Sequence, residues 1–367
     1  MLLSGACTTS DTDDASTQEE IRFEASVPLF QTRSVINSTS DLQSSIFGVF
    51  AYYTGTDQWD ELGTEGHAAP MAPNFMHNQR VTYSATSWQY SPVKYWPNDN
   101  IPADNSGATG SVEHSYLSFF AYAPYSTTAT SINGSNQPLV SYTWTNSTDP
   151  ASQSDLLYAN QTDCYKTMPA GYGTVTGRVP FLFRHALTAI EFKVRRKEQT
   201  GDPIILTTTP TLTPAQYTQV LTITPTATIN TSGKFNLIET TWAYLVTTTP
   251  TLQYLPADIS SDLRGAHSDD ATKTGVTAYT TETAHPLTSY SPNLLLLMPQ
   301  QETVTFAFTL HYTLGGTAKA PSGTFTFTKP DDEGWALAMG KKYTVIFIID
   351  GGEVESYLLR EKEAEQW

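Results

Sequence analysis

Two cysteines, Cys7 and Cys164, are all that the 367 residues contain, too few for a disulfide framework. Cys164, in Asn160-Gln161-Thr162-Asp163-Cys164-Tyr165, has no neighbouring base to activate it and reads as structural. Basic residues are also scarce: 20 Lys and Arg stand against 36 Asp and Glu, a formal charge of −16. Such a chain repels phosphate backbones and anionic lipid, so no nucleic-acid partner is expected. Charged residues make up 15%, against about 25% in an average soluble domain, and the shortage of Lys and Glu disfavours helices. No apolar run approaches the ~20 residues needed to span a membrane as a helix; the longest, Asn293-Leu294-Leu295-Leu296-Leu297-Met298, has the length of a strand. Also missing are a Gly-rich phosphate loop, a Gly-x-Ser-x-Gly elbow and His-Glu-x-x-His. His67, His77, His114, His267, His285 and His311 show no metal-ligand spacing, and His267-Ser268-Asp269-Asp270 reads as a solvated loop. The sequence therefore predicts no catalytic residue, no cofactor and no metal. Carboxylate pairs of the glycosidase kind converge only in space, and nothing points to them.

What fills the vacancy is Thr, Ser, Asn and Tyr, of which Thr and Tyr suit half-buried strands. From Ile21 onward the chain breaks into short β-like runs separated by Gly, Pro, Asn, Asp and Ser. Strands are predicted over 21–25, 46–53, 80–84, 115–123, 156–159, 178–183, 187–195, 220–229, 241–246, 293–298, 302–314, 323–328, 342–349 and 353–359. Ile46-Phe47-Gly48-Val49-Phe50-Ala51-Tyr52 and Leu117-Ser118-Phe119-Phe120-Ala121-Tyr122-Ala123 are nearly continuous apolar runs, the mark of central buried strands. Val304-Thr305-Phe306-Ala307-Phe308-Thr309-Leu310 and Thr324-Phe325-Thr326-Phe327-Thr328 alternate, as half-buried strands of a meander do. Helices of at most two turns are expected at 150–155, 260–265 and 334–339, so the fold class is all-β. The length exceeds what one core usually serves, and a boundary before His185 divides the chain into 21–184 and 185–367. His185, in Phe183-Arg184-His185-Ala186-Leu187, reads as a packed or domain-junction histidine.

The first 20 residues differ in kind. Met1-Leu2-Leu3-Ser4-Gly5-Ala6-Cys7 resembles the end of a bacterial lipoprotein signal, with Cys7 as the acylated residue. It departs from that pattern in carrying Ser4 three before the cysteine, and it lacks a basic region and a full apolar region, so the natural start is expected upstream. Residues 8–20 form a polar, acidic tether unable to bury anything. An acidic patch just after the cysteine is similar to the surface-export signal of Bacteroidetes lipoproteins.

Several blocks taken in order carry a wider resemblance. They are the leader, a first strand ending near Thr32-Arg33, Ile46 to Tyr52, Lys94-Tyr95-Trp96-Pro97, Phe119-Phe120-Ala121-Tyr122-Ala123-Pro124-Tyr125, Asp155-Leu156-Leu157-Tyr158-Ala159, Phe181-Leu182-Phe183-Arg184-His185-Ala186-Leu187, Leu295-Leu296-Leu297-Met298-Pro299-Gln300, and Gly340-Lys341-Lys342-Tyr343. The series resembles the fimbrillin-like (type V pilin, Mfa-like) lipoproteins of Bacteroidetes along essentially the whole chain. The resemblance implies two tandem transthyretin-like, Greek-key β-sandwiches and a lipoprotein precursor carried to the outer membrane through lipid on Cys7. It further implies assembly with other fimbrillin subunits into an adhesive fimbria. In that family an Arg-specific surface protease removes the leader and first strand, and a C-terminal strand of a neighbour fills the groove, a case of β-augmentation. Arg33 is then the expected processing site, with Arg22 as the alternative. The hairpin signalled by Asp350-Gly351-Gly352 supplies the expected donor, with Val354, Tyr357, Leu358 and Leu359 as its apolar positions. A competing reading is a non-polymerising module that binds surface glycans, with Trp59, Trp88, Tyr90, Tyr95 and Trp96 as ring-stacking candidates. Most of these aromatics lie in or beside strand-like runs, which favours packing.

Overall fold

The computed structural model describes residues 19–27, 38–69, 71–98, 114–144, 153–166, 178–196, 204–206, 221–250, 252–254, 285–286, 294–330, 334–350 and 352–359. The two apolar runs singled out above form adjacent antiparallel strands, Ile46–Gly55 and Tyr116–Ala123, at the centre of a six-stranded sheet. Leu157–Cys164 and Arg184–His185 extend that sheet on one side, and Met76–Ser84 and Ser87–Gln89 on the other. Side chains alternate across a pleated strand, so each run feeds two cores. Phe47, Val49, Ala51, Leu117, Phe119 and Ala121 face one cluster, shared with the first strand. Phe50, Tyr52, Phe120 and Tyr122 face the other, which continues through the rest of the chain. Both faces are covered, which is why these strands read as continuous apolar runs. Gly48 is required here: a Cβ at that position would meet the Tyr122 ring at 2.4 Å. Tyr122 is held in place by its hydroxyl, which donates to Ser126 O at 2.8 Å and lies 2.9 Å from Asn78 Oδ1.

In the second half, Thr188–Arg196 is the hub of a five-stranded sheet. It lies parallel to Lys342–Asp350 and antiparallel to Leu294–Leu297 and His285–Pro286, and Glu353–Leu359 completes the edge. The alternating segments pair as predicted, Val304–Leu310 against Ser322–Phe327, with every second side chain of the first buried. Leu221–Pro225 and Leu252–Tyr254 complete that sheet, and Ile204–Leu206, Tyr312–Leu314 and Thr317–Lys319 form a smaller one.

A further sheet joins Thr130–Ile132, Pro138–Thr143, Ile229–Asn236 and Thr241–Thr248, drawing two strands from each side of His185. Trp144 Nε1 donates to Leu296 O at 2.7 Å, and the buried Gln153 amide bonds Leu294 O and Leu296 N–H. His185 is buried as expected, but not in purely apolar surroundings: Asp155, thirty positions earlier, places Oδ2 2.9 Å from its Nδ1.

Four expectations fail. Residues 302–314 do not form one strand: the segment breaks at His311, and Val304–Leu310 and Tyr312–Leu314 belong to different sheets. Residues 220–229 do not form one strand: the segment breaks after Pro225, and its parts join different sheets. Residues 334–339 form no helix, because Leu337 is taken into a bridge in which Gln300 N–H and Leu337 N–H each donate to the other's carbonyl. Residues 153–155 are also irregular, whereas 150–152 and 260–265 lie outside the described residues. The α-helix among the described residues is Thr39–Ser44, started by Ser38, whose Oγ accepts the Asp41 N–H.

Candidate functional site: the first strand and its groove

Residues 21–27 alternate Ile, Arg, Phe, Glu, Ala, Ser and Val, and period two sends the odd set inward. Ile21, Phe23, Ala25 and Val27 are all buried. Phe23 meets Phe47, Tyr90, Phe119 and Phe181 at ring-centroid distances of 6.2, 5.3, 5.9 and 5.4 Å. The strand Arg22–Ser26 runs parallel to Arg178–Leu182, Arg22 opposite Arg178 and Ser26 opposite Leu182, and Phe183 N–H closes the ladder onto Ser26 O at 2.9 Å. Proline at 180 is tolerable because this pair lies outside the large sheet.

On the opposite flank, backbone pairing among the described residues lies at the strand's beginning. Ile21 N–H donates to Lys94 O, and Trp96 N–H to Glu19 O, both at 2.9 Å. The Tyr90 hydroxyl donates to Ile21 O at 2.8 Å. Beyond Ile21 this flank opens onto a cleft of about 680 Å³ whose walls include Arg22, Glu24, Tyr83, Trp88, Gln89 and Val93. The first strand is thus a wedge, bonded along one edge, pinned at one end of the other, and filling a row of apolar pockets.

Tyr90 links this wedge to pH. Burial pushes its phenol up to about 12, and the Glu20 carboxylate reinforces the shift. A raised phenol favours the neutral form in the folded state, so its stabilisation is complete below the ordinary tyrosine range and is lost as pH rises from about 10 to about 12. Tyr90→Phe is expected to cost about 1 kcal/mol at neutral pH through the lost hydrogen bonds and to weaken the alkaline unfolding transition. Denaturant midpoints at neutral pH and a pH-unfolding curve read by circular dichroism check both; equal alkaline slopes in the two proteins would remove the tyrosine from that role.

Of the sequence-derived site residues, Cys7 and Arg33 lie outside the described residues. Arg22 is described. Its side chain is 65% exposed beside Glu20, at 3.7 Å, but its backbone is zipped into the Arg178 ladder. A protease that reads extended chain must open that ladder to reach it. Val354, Tyr357, Leu358 and Leu359 lie in the edge strand Glu353–Leu359, opposite Ile349, Ile346, Val345 and Thr344. Val354 packs partly buried on the large core. This strand and the first strand belong to different sheets.

Trp88 and Trp96 are buried and Trp59 packs on Tyr52 and Phe120, so these three indoles serve as core; Tyr95, 42% exposed, does not. Cys164 is buried, and burial drives its thiol pKa up, in keeping with a structural role. The parallel partner of the first strand and the anchoring role of Tyr90 escape sequence reasoning. The alternation of Val179, Phe181 and Phe183 and the block around Trp96 were the available signals.

The comparisons with known proteins point one way. Over 172 residues the chain is 29% identical to the fimbrium subunit Fim1C of Phocaeicola vulgatus, covering 44% of this chain. The match spans only 39% of that relative's own length. The fold resembles that of a fimbrial protein from Bacteroides vulgatus with a TM-score of 0.56 at 19% identity, over 93% of this chain and 99% of that one. A sequence model described as fimbrillin-like matches residues 32–367, and with so much of its length inside that match the chain belongs to the fimbrillin-like family.

Proposed function

We propose that this chain is a subunit of a cell-surface fimbria, as stalk, tip or anchor, and that its first strand is a removable plug whose loss licenses assembly with other subunits. The observation that carries the reading is the wedge itself. Ile21, Phe23 and Val27 fill pockets in the N-terminal core from a strand bonded along one edge. Burying such side chains is worth roughly 1.5–3 kcal/mol each, so the strand contributes an amount comparable to a whole domain's net stability of about 5–15 kcal/mol. A subunit stripped of it exposes unpaired backbone on Arg178–Leu182 and an empty hydrophobic row, and another strand restores both.

In this reading the chain reaches the outer surface as a lipoprotein on Cys7, and an Arg-specific protease cuts after Arg33. The Glu353–Leu359 edge of a neighbour then becomes the donor, having first parted from Lys342–Asp350. Division into two tandem sandwiches near His185 belongs to the same proposal; the shared sheet described above then makes the halves one mechanical unit. In a stalk or tip subunit the Cys7 lipid leaves with the plug, marking a delivery stage rather than a final address.

The test is to treat the purified chain with an Arg-specific protease, sequence the new N-terminus and image the product by electron microscopy. A new start at Ser34 together with polymers is expected. An intact Arg33, or cleavage there without polymers, would overturn the proposal.

A further inference from the structure

Among the described residues outside the groove, the turns that follow the central strand gather two carboxylates and a histidine. The segment from Thr54 to Ala69 follows the central strand Ile46–Gly55 and folds into consecutive turns. Thr54 Oγ1 donates to Asp57 O at 2.7 Å, Gly63 N–H to Ala68 O and His67 N–H to Thr64 O at 3.1 Å each. Trp59 pins it down, its ring against Tyr52 and Phe120 and its backbone N–H donating to Asp163 Oδ1 at 2.7 Å. These turns bring together Asp57, Glu61 and His67, with one donor atom from each within 4.8 Å of the others. His67 Nδ1 lies 3.1 Å from Asp57 Oδ1, both side chains about one-third exposed. One Glu61 oxygen is oriented by the Gln58 N–H at 2.9 Å.

We propose that Asp57, Glu61 and His67 bind a divalent cation of the zinc class through one imidazole and two carboxylates, leaving a position for water. Ligands at about 2.0–2.2 Å from Zn²⁺ stand roughly 3.3–3.6 Å apart in a tetrahedron, so the observed spread closes with small side-chain rotations. The imidazole and the small donor number disfavour Ca²⁺, which takes six to eight oxygens. Electrostatics favour a cation as well. Residues 54–69 contain Asp57, Asp60, Glu61 and Glu65 but no Lys or Arg, and among the described residues no Lys or Arg pairs with these carboxylates. Nearby Asp163 has its pKa raised, by burial first and by the charges of Asp60 and Glu61 in addition. A bound ion would join three turns of the segment and fix it at one end of the six-stranded sheet.

The untagged full-length chain, stripped with chelator, is titrated calorimetrically with ZnCl₂ and, separately, CaCl₂, and melted with and without each ion. One saturable Zn²⁺ site and a raised Tm are expected. His67→Ala and Glu61→Gln should each weaken Zn²⁺ binding at least about tenfold, with an unchanged Tm in chelator showing that both variants fold. Absence of saturable Zn²⁺ binding, wild-type affinity in His67→Ala, or a preference for Ca²⁺ would each overturn the assignment. If a variant unfolds in chelator, the visible absorption of the Co²⁺-loaded wild-type chain decides: bands of nitrogen-and-oxygen ligation support the site, and the spectrum of aqueous Co²⁺ refutes it.

Discussion

Phe23→Ala is expected to destabilise the protein by about 3–5 kcal/mol, the usual range for deleting a buried ring whose pocket collapses only in part. The magnitude follows from position. Phe23 is 4% exposed and touches aromatic partners on four segments, Phe47, Tyr90, Phe119 and Phe181. All of these belong to rigid elements or to the pinned 90–96 segment, so little can move in to fill the hole. Urea unfolding followed by fluorescence and far-ultraviolet circular dichroism measures the loss. A change under about 1 kcal/mol would show that the first strand contributes little to the core, and with it would go the idea that its removal drives assembly. The exposed partner position Glu24 serves as control: Glu24→Ala should fall within about ±0.5 kcal/mol.

Asp155→Ala should cost at least about 3 kcal/mol, for an electrostatic reason. Asp155 and His185 side chains are 0% and 2% exposed, with Oδ2 2.9 Å from Nδ1, and Asp155 Oδ1 also accepts the Leu156 N–H at 2.8 Å. Removing the carboxylate strips two buried polar groups of these hydrogen bonds, and desolvation without compensation is what makes such truncations expensive. Asp155→Asn keeps an acceptor and should lose less. The pair sits where the chain leaves the six-stranded sheet for the five-stranded one. There Ala186 N–H bonds Leu156 O, Trp242 Nε1 bonds Ala186 O, and Gly340 N–H bonds Leu187 O. The destabilised protein should therefore still unfold in one transition, with both halves lost together. Equal stability of Asp155→Ala and wild type in urea would show that the pair is not needed at the junction.

The legible part of this molecule was local. Period two in Val304–Leu310 and in residues 324–328, the continuous apolar runs of the central strands, and the Asp350-Gly351-Gly352 turn signal all follow from how side chains alternate on a pleated strand and from what a tight turn demands. The misplaced helix at 334–339 shows the limit. Its residues permit helix, but a bridge to Gln300 offers the backbone better-satisfied hydrogen bonds, and tertiary pairing overrides a weak propensity. The short strand Pro138–Thr143 was missed because six residues starting at proline carry little periodic signal, yet it joins the two halves of the chain through Ile229–Asn236.

By itself the sequence determined that the chain is all-β, that it is acidic, and that its order of blocks is fimbrillin-like, because composition, alternation and motif order are properties of the chain alone. Only the tertiary structure decided that the first strand runs parallel to Arg178–Leu182 as a wedge, that His185 meets Asp155, and that Asp57, Glu61 and His67 converge. Each of these joins residues through turns or between strands, and contact between positions distant along the chain is set by sheet register and packing, which no local pattern encodes.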